Sequence, residues 1–108
     1  MAINETRLLG MLGFAMRAGK LIIGTESVCR AMAEGTEKLV LVSFSASEGA
    51  KKKIRTKCEF YKIPHFELPI EAEELGKLLG KSFCPVALAV KDEGFSVEII
   101  KALDRETT

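Results

Sequence analysis

Lys20 to Arg30 reads KLIIGTESVCR, and the folding of this stretch decides how the rest of the chain is read. Leu21, Ile22 and Ile23 form a short apolar run of the kind that makes a strand. Gly24 breaks it, Thr25 is a good N-cap, and Glu26 to Glu34 run on as a helix closed by Gly35. A strand turned by one glycine into a helix start gathers unpaired backbone N–H groups, and the positive end of the helix dipole, at one spot. Such a spot suits a phosphate or the edge of a nucleobase. Lys20 before it, and Arg30 about one and a half turns into the helix, add charge nearby. On its own the pattern is first of all an ordinary capped strand–turn–helix. The segments around it decide whether it is more.

Upstream, Asn4 can cap a first helix in which Leu8, Met11 or Leu12, and Ala15 recur at helical spacing, widened by Leu9 and Met16 and ended at Ala18-Gly19. Downstream, Gly35-Thr36-Glu37 is a turn, and Leu39 to Val42 is an uninterrupted apolar run, as in a strand buried on both faces. Ser45 with Glu48 makes a capping box, so a third helix starts near Ala46, with Ala50, Ile54, Cys58 and Tyr61 as its apolar stripe and Pro64 as its stop. His65 to Leu68 is a short strand. Pro69 opens a fourth helix over Glu71 to Leu79, with Gly80 as terminator. Pro85 to Val90 is the last buried strand, and Asp92-Glu93-Gly94 turns into a final helix faced by Phe95, Ile99 and Leu103, with Ile100 beside them. The order is one helix, then strand–helix four times. That is the pattern of an α/β layer structure, with helices on both faces of a small sheet in which some strand can run antiparallel. The 108 residues read as one domain with a frayed end at Asp104 to Thr108.

Several functional classes find no footing. No apolar run has the length of a bilayer span and the N-terminus has no signal-peptide pattern, so no membrane partner is expected. Cys29, Cys58 and Cys84 are widely spaced, with no CxxC pair, and read as buried or partly buried free thiols of a reducing cytoplasm rather than as metal ligands. His65 is the only histidine, and its place after a proline at the start of a short strand points to a structural or surface role. There is no GxSxG elbow and no GxxxxGK[ST] loop. Gly76 to Lys81 echoes the latter, but its middle is helical in pattern and follows an acidic helix rather than a strand. Glu71, Glu73 and Glu74 suit a helix first turn. The expectation is a protein with no catalytic residues, no cofactor, no metal and no small-molecule substrate.

Three connections remain as site candidates: the Gly24 helix start, the Ser43–Ser47 loop, and the Lys81–Val86 loop. In a small sheet such loops can converge at one edge. The last offers Phe83, Cys84 and Pro85, apolar groups of the kind a splayed-out RNA base packs on. The alternative is that Phe83 folds back onto the core. Charge is segregated as well. Lys51, Lys52, Lys53, Arg55, Lys57 and Lys62 face Glu59 alone, and Glu67, Glu71, Glu73 and Glu74 follow. A charge run on a helix is usually a solvated face, yet a basic patch in a chain of net charge +1 can also localise a nucleic acid.

Ala15 and Arg17 to Leu21 with Gly24, the following GTESVCRAMAEG, KLVLVSFSAS, KKKIRTKCEFYKIP, and ELGKLLGK before AVKDEGF resemble the L-seven-Ae/L-thirty-e group of ribosomal and kink-turn RNA-binding proteins, in particular its small bacterial YlxQ-type members. The likeness runs from Asn4 to Leu103. It implies a three-layer α-β-α sandwich with a small mixed four-stranded sheet. It also implies cytoplasmic binding to structured RNA, ribosomal or regulatory, at a kink-turn, where a helix bends sharply beside tandem G·A pairs. In that family a Gly-Thr-Asn-Glu-x-x-Lys stretch meets the guanines and backbone, and a loop before the last strand packs on an extruded nucleotide.

Carried over by position, the first site is Gly24, Thr25, Glu26, Ser27 and Arg30, with Lys20 before it, and the second lies within Ser82, Phe83, Cys84 and Pro85. Glu26 stands where the family has asparagine, and Ser27 where it has glutamate. A carboxylate accepts from guanine's ring N–H and amino group but cannot donate. Arg30 in place of lysine keeps the charge and adds a planar fork that favours guanine or phosphate. A second expectation, from another class, is a protein-interaction module on the same fold with no specific RNA target.

Overall fold

The computed structural model of the chain describes residues 5–104. Its elements are α1 (Glu5–Arg17), β1 (Leu21–Ile23), α2 (Thr25–Met32), β2 (Leu39–Ser43), α3 (Glu48–Tyr61), β3 (His65–Leu68), α4 (Ala72–Leu79), β4 (Ala87–Val90) and α5 (Glu93–Asp104). The sheet has the order β1-β4-β2-β3. β4 is antiparallel to both β1 and β2, whereas β3 runs parallel to β2. This is the mixed four-stranded α/β sandwich expected.

Alternation along the two central strands sorts the core into two layers. Leu39, Leu41, Leu88 and Val90 point to one face and pack with Leu8 and Leu12 of α1, Leu75 and Leu79 of α4, and Ile99 and Leu103 of α5. Val40, Val42, Ala87 and Ala89 point to the other, under Val28 and Met32 of α2 and Ile54 and Cys58 of α3. The alanines of β4 let the backbone of α2 lie close to the sheet. Removing one of the fully buried leucines, such as Leu88, would cost about 2–5 kcal/mol.

Boundaries shift where tertiary structure claims a residue that local pattern assigns elsewhere. Gly24, not Thr25, is the N-cap of α2, and the helix ends at Met32 instead of continuing to Glu34. The third helix is capped by Ser47, whose Oγ accepts the Ala50 N–H at 3.1 Å, and not by Ser45. Ser45 is engaged in a relay instead. The Ala72 N–H donates to Ser45 Oγ at 3.0 Å, the two serine hydroxyls lie 2.8 Å apart, and Ser43 Oγ donates to the Ile70 carbonyl at 2.6 Å. With the Ser43 proton on Ile70, it is Ser45 that donates within the pair. Tyr61 is exposed rather than part of the apolar stripe. The last strand begins at Ala87, two residues after Pro85. The proposed Asn4 cap and residues 105–108 lie outside the described residues, and Asp104 is the last residue of α5.

Among the described residues, Glu37 is the one acid that the fold buries. Only 5% exposed in the connection before β2, it has no hydrogen-bond partner for either carboxylate oxygen among the described residues. Burial, with Glu34 as a lesser cause, pushes its pKa up from 4.5 to about 7. A carboxyl with a raised pKa in the fold holds its proton more tightly than in the unfolded chain. Its stabilising share is therefore complete below about 4.5 and lost as pH rises to about 7. Glu37→Gln, a neutral isostere, should gain in Tm relative to the natural protein over that interval and hold a constant lead above it. A difference independent of pH would mean that the Glu37 carboxyl binds its proton equally well in the folded and unfolded chain.

Candidate nucleic-acid interface

β1 ends at Ile23, opposite Leu88, and β4 begins at Ala87, opposite Val42. β2 and β3 end together at Ser43 and Leu68. Four connections thus meet at one end of the sheet: the Gly24 turn, the loop after β2, the loop after β3, and the loop that enters β4. Backbone hydrogen bonds join them. The Gly24 N–H donates to the Ala87 carbonyl at 2.9 Å, Ser43 N–H to Val86 at 2.8 Å, and Phe44 N–H to Leu68 at 2.9 Å.

Gly24 carries the turn by backbone conformation alone. Its φ of 106° and ψ of 142° lie in a region that residues with a Cβ rarely adopt, and no side chain caps the helix. The first helical bond is from the Val28 N–H to the Gly24 carbonyl, 2.9 Å. The N–H groups of Thr25, Glu26 and Ser27 precede it and have no place in the helical ladder. Glu26 and Arg30 are exposed, while Thr25 and Ser27 are half-buried.

The second stretch lies alongside. Ser82, Phe83 and Cys84 are exposed, and Pro85 is buried. Phe83, at 52% exposure, does not fold back onto the core. Its backbone rests on α4: a Cβ on Gly76 would stand 2.6 Å from the Phe83 carbonyl oxygen and 3.3 Å from Pro85 Cδ. The loop owes its position to the absence of a side chain at Gly76. Exposed Cys84 corrects the expectation that all three thiols are at least partly buried. Cys58 fits that expectation, and burial pushes its thiol up to about 12.

The structure therefore sets the Gly24 to Ser27 helix start and the Ser82 to Pro85 loop at the same end of the sheet, linked through the bond from Gly24 to Ala87, two residues after Pro85. Arg30 lies about 9 Å along α2 from the turn. Lys20 does not join them. It sits at the other end of β1, where its carbonyl accepts the Lys91 N–H at 2.8 Å, about 13 Å from Gly24 along the strand. The hydroxyls of Ser43 and Ser45 are used within the fold. Phe44, 46% exposed at this end, belongs to the Ser43–Ser47 candidate loop, and the sequence offers no signal that marks it within that loop. The assembled surface offers free helix-start donors beside exposed apolar loop residues. An anion with an attached apolar group could use both.

The sequence model described as the ribosomal protein L7Ae/L30e/S12e/Gadd45 family matches residues 6–100. The chain is 38% identical to the RNA-binding protein YlxQ of Enterococcus faecium over 93 residues, 86% of this chain and 87% of that one. It is 35% identical to the large ribosomal subunit protein eL30 of Sulfolobus acidocaldarius, over 85% and 90% of the two chains. Among solved structures, a protein of unknown function from Bacillus halodurans C superposes with a TM-score of 0.83 at 37% identity, covering 91% of this chain and 97% of its own. The 15.5kD RNA binding protein of Giardia lamblia shares the fold with a TM-score of 0.75 at 12% identity, over 95% and 87%.

Two outcomes follow from the loop's support. Gly76→Ala should displace the Phe83 carbonyl and, with it, the loop, costing about 1–3 kcal/mol of stability. Thiol labelling of the folded protein should modify Cys84 first, Cys29 more slowly, and Cys58 only on unfolding. Fast labelling of Cys58 in the native state would contradict the packing of α3 on the sheet.

Proposed function

The chain belongs to the ribosomal protein L7Ae/L30e/S12e/Gadd45 family, and from that premise we propose that it is a non-catalytic, cytoplasmic RNA-binding protein that recognises a kink-turn-like motif in ribosomal or regulatory RNA. The names of its relatives support the broader reading of RNA as the partner, bound alone or within a ribonucleoprotein. The observation that carries the finer reading is the bond from the Gly24 N–H to the Ala87 carbonyl. It ties the α2 start to the strand that the Phe83 loop enters, which supports a reading in which a bent RNA with an extruded base touches both.

Each residue then has a role. Gly24 lets a backbone approach closely, and the N–H groups of the first turn of α2, with Thr25, face RNA phosphates. Glu26 accepts from the ring N–H and amino group of guanine, and Ser27 supports it on the same turn. Arg30 neutralises a phosphate or forks onto a guanine. Ser82 to Pro85, with Phe83 foremost, shelters the extruded base. Lys20, at the far end of β1, serves as a peripheral phosphate contact.

Titration of a short kink-turn RNA, against a control whose tandem G·A pairs are made Watson–Crick, tests the proposal. Preference of at least tenfold, about 1.4 kcal/mol, is expected. Arg30→Ala should weaken binding and flatten the salt dependence by about one unit of slope. Bound kink-turn RNA should also protect Cys84 from labelling. Equal, salt-sensitive binding to both RNAs would reduce the protein to a basic surface, and no binding to either would favour a protein-interaction module on this fold.

A further inference from the structure

The surface left unexplained is the outer side of α3. Ile54 and Cys58 point to the sheet, and Lys51 bonds Glu67 Oε2 at 2.8 Å, so the Lys51 and Arg55 flank of the helix faces β3. Arg55 lines the same cleft with His65 and Glu67. The opposite flank turns towards α2, which packs on the same face of the sheet. It carries Lys53, Lys57 and Phe60, one above the other at i, i+4 and i+7. Among the described residues neither lysine has an ion pair, although Glu59 is on the same helix. Phe60 is 76% exposed, the most exposed large apolar side chain described, and its ring meets Tyr61 edge-on with centroids 4.9 Å apart.

Two unpaired cations leading to an exposed aromatic pair are the elements of a track for unpaired nucleic acid: charge for the phosphates and a ring face for a base. We propose that Lys53, Lys57 and Phe60 bind a single-stranded RNA segment that continues from the RNA seated at Gly24. The inference rests on the RNA-binding reading above. Placement supports it, since α3 starts at the same end of the sheet as the Gly24 turn and runs about 21 Å from it. Charge selects this direction over the other helical layer, where α4 opens with exposed Glu71, Glu73 and Glu74. A base-paired stem would use the lysines but leave Phe60 without a role.

Three RNAs test it: a blunt kink-turn, the same with an unpaired extension of about eight nucleotides, and the same with that extension paired. The unpaired form should bind about tenfold tighter than the blunt one. Phe60→Ala should abolish most of that advantage without changing affinity for the blunt RNA. Lys53→Gln with Lys57→Gln should do the same and flatten the salt slope by about 1.4 units. Lys53 and Phe60 are exposed and Lys57 is half-buried, so Tm values close to that of the natural protein should accompany these results. No advantage from the extension, an equal advantage when it is paired, or an advantage that survives Phe60→Ala would each overturn the proposal. Failure of the kink-turn reading is seen separately, in the G·A control. If that control binds as well as the kink-turn, the inference stands only if a free single strand still binds through Phe60.

Discussion

The bond between the Gly24 N–H and the Ala87 carbonyl is the constraint on which the arrangement depends. It extends the antiparallel ladder of β1 and β4 by one residue past the last strand residue, Ile23. The chain must then leave the sheet and enter α2 within a single residue. Only a backbone at φ 106° does this here, and holding such a conformation with a side chain present costs on the order of 1–3 kcal/mol. Glycine removes that cost and leaves the helix start bare. The same residue thus joins two strands, caps a helix without a side chain, and opens the first-turn donors to solvent.

β4 has a second role in the layering. Its neighbours are β1 and β2 rather than β3, the strand just before it in the chain, and its residues alternate small and large. Leu88 and Val90 fill the side covered by three helices, whereas Ala87 and Ala89 face the two-helix side. The larger residues there come from the helices, as Val28, Met32 and Ile54. Volume is shared across the interface rather than supplied from the sheet, which keeps α2 close and its N-terminus near the loop that enters β4. A bulkier residue at Ala87 would press on α2 at the point where the site is assembled.

The elements were legible in the sequence because fully apolar strands and glycine-ended helices obey local rules. Gly19, Gly35 and Gly80 all have positive φ, as helix or turn terminators should. What failed to show was long-range assignment. Ser45 and Glu48 satisfy the capping pattern, yet Ser45 is drawn into a relay with Ser43, Ile70 and Ala72, and the similar Ser47 takes the cap. Lys20 is four positions from Gly24, which reads as proximity. In an extended strand it is the length of the sheet instead. Glu37 has no local signature at all, since burial of a turn residue is set by what packs over it. The candidate residues of the first turn were found by chemistry, but their juxtaposition with Phe83 depends on β1 lying next to β4. That strand order joins segments more than sixty residues apart and no periodicity contains it.

Gly76 shows how a site can be shaped from beneath. It lies inside α4, where glycine lowers helix stability by about 1 kcal/mol relative to alanine. Helical pattern alone offers no reason to accept that cost. The reason is the Phe83 carbonyl, which occupies the space an alanine methyl would need. The loop is held by backbone packing against α4, and Pro85 is buried in the same contact. Phe83 and Cys84 are then presented outward without depending on contacts of their own side chains. This separates support from recognition: α4 fixes where the loop stands, and the exposed residues remain available to whatever it meets. The two glycines do complementary work, since Gly24 frees donors by adopting a conformation others avoid, and Gly76 frees apolar groups by leaving space others would fill.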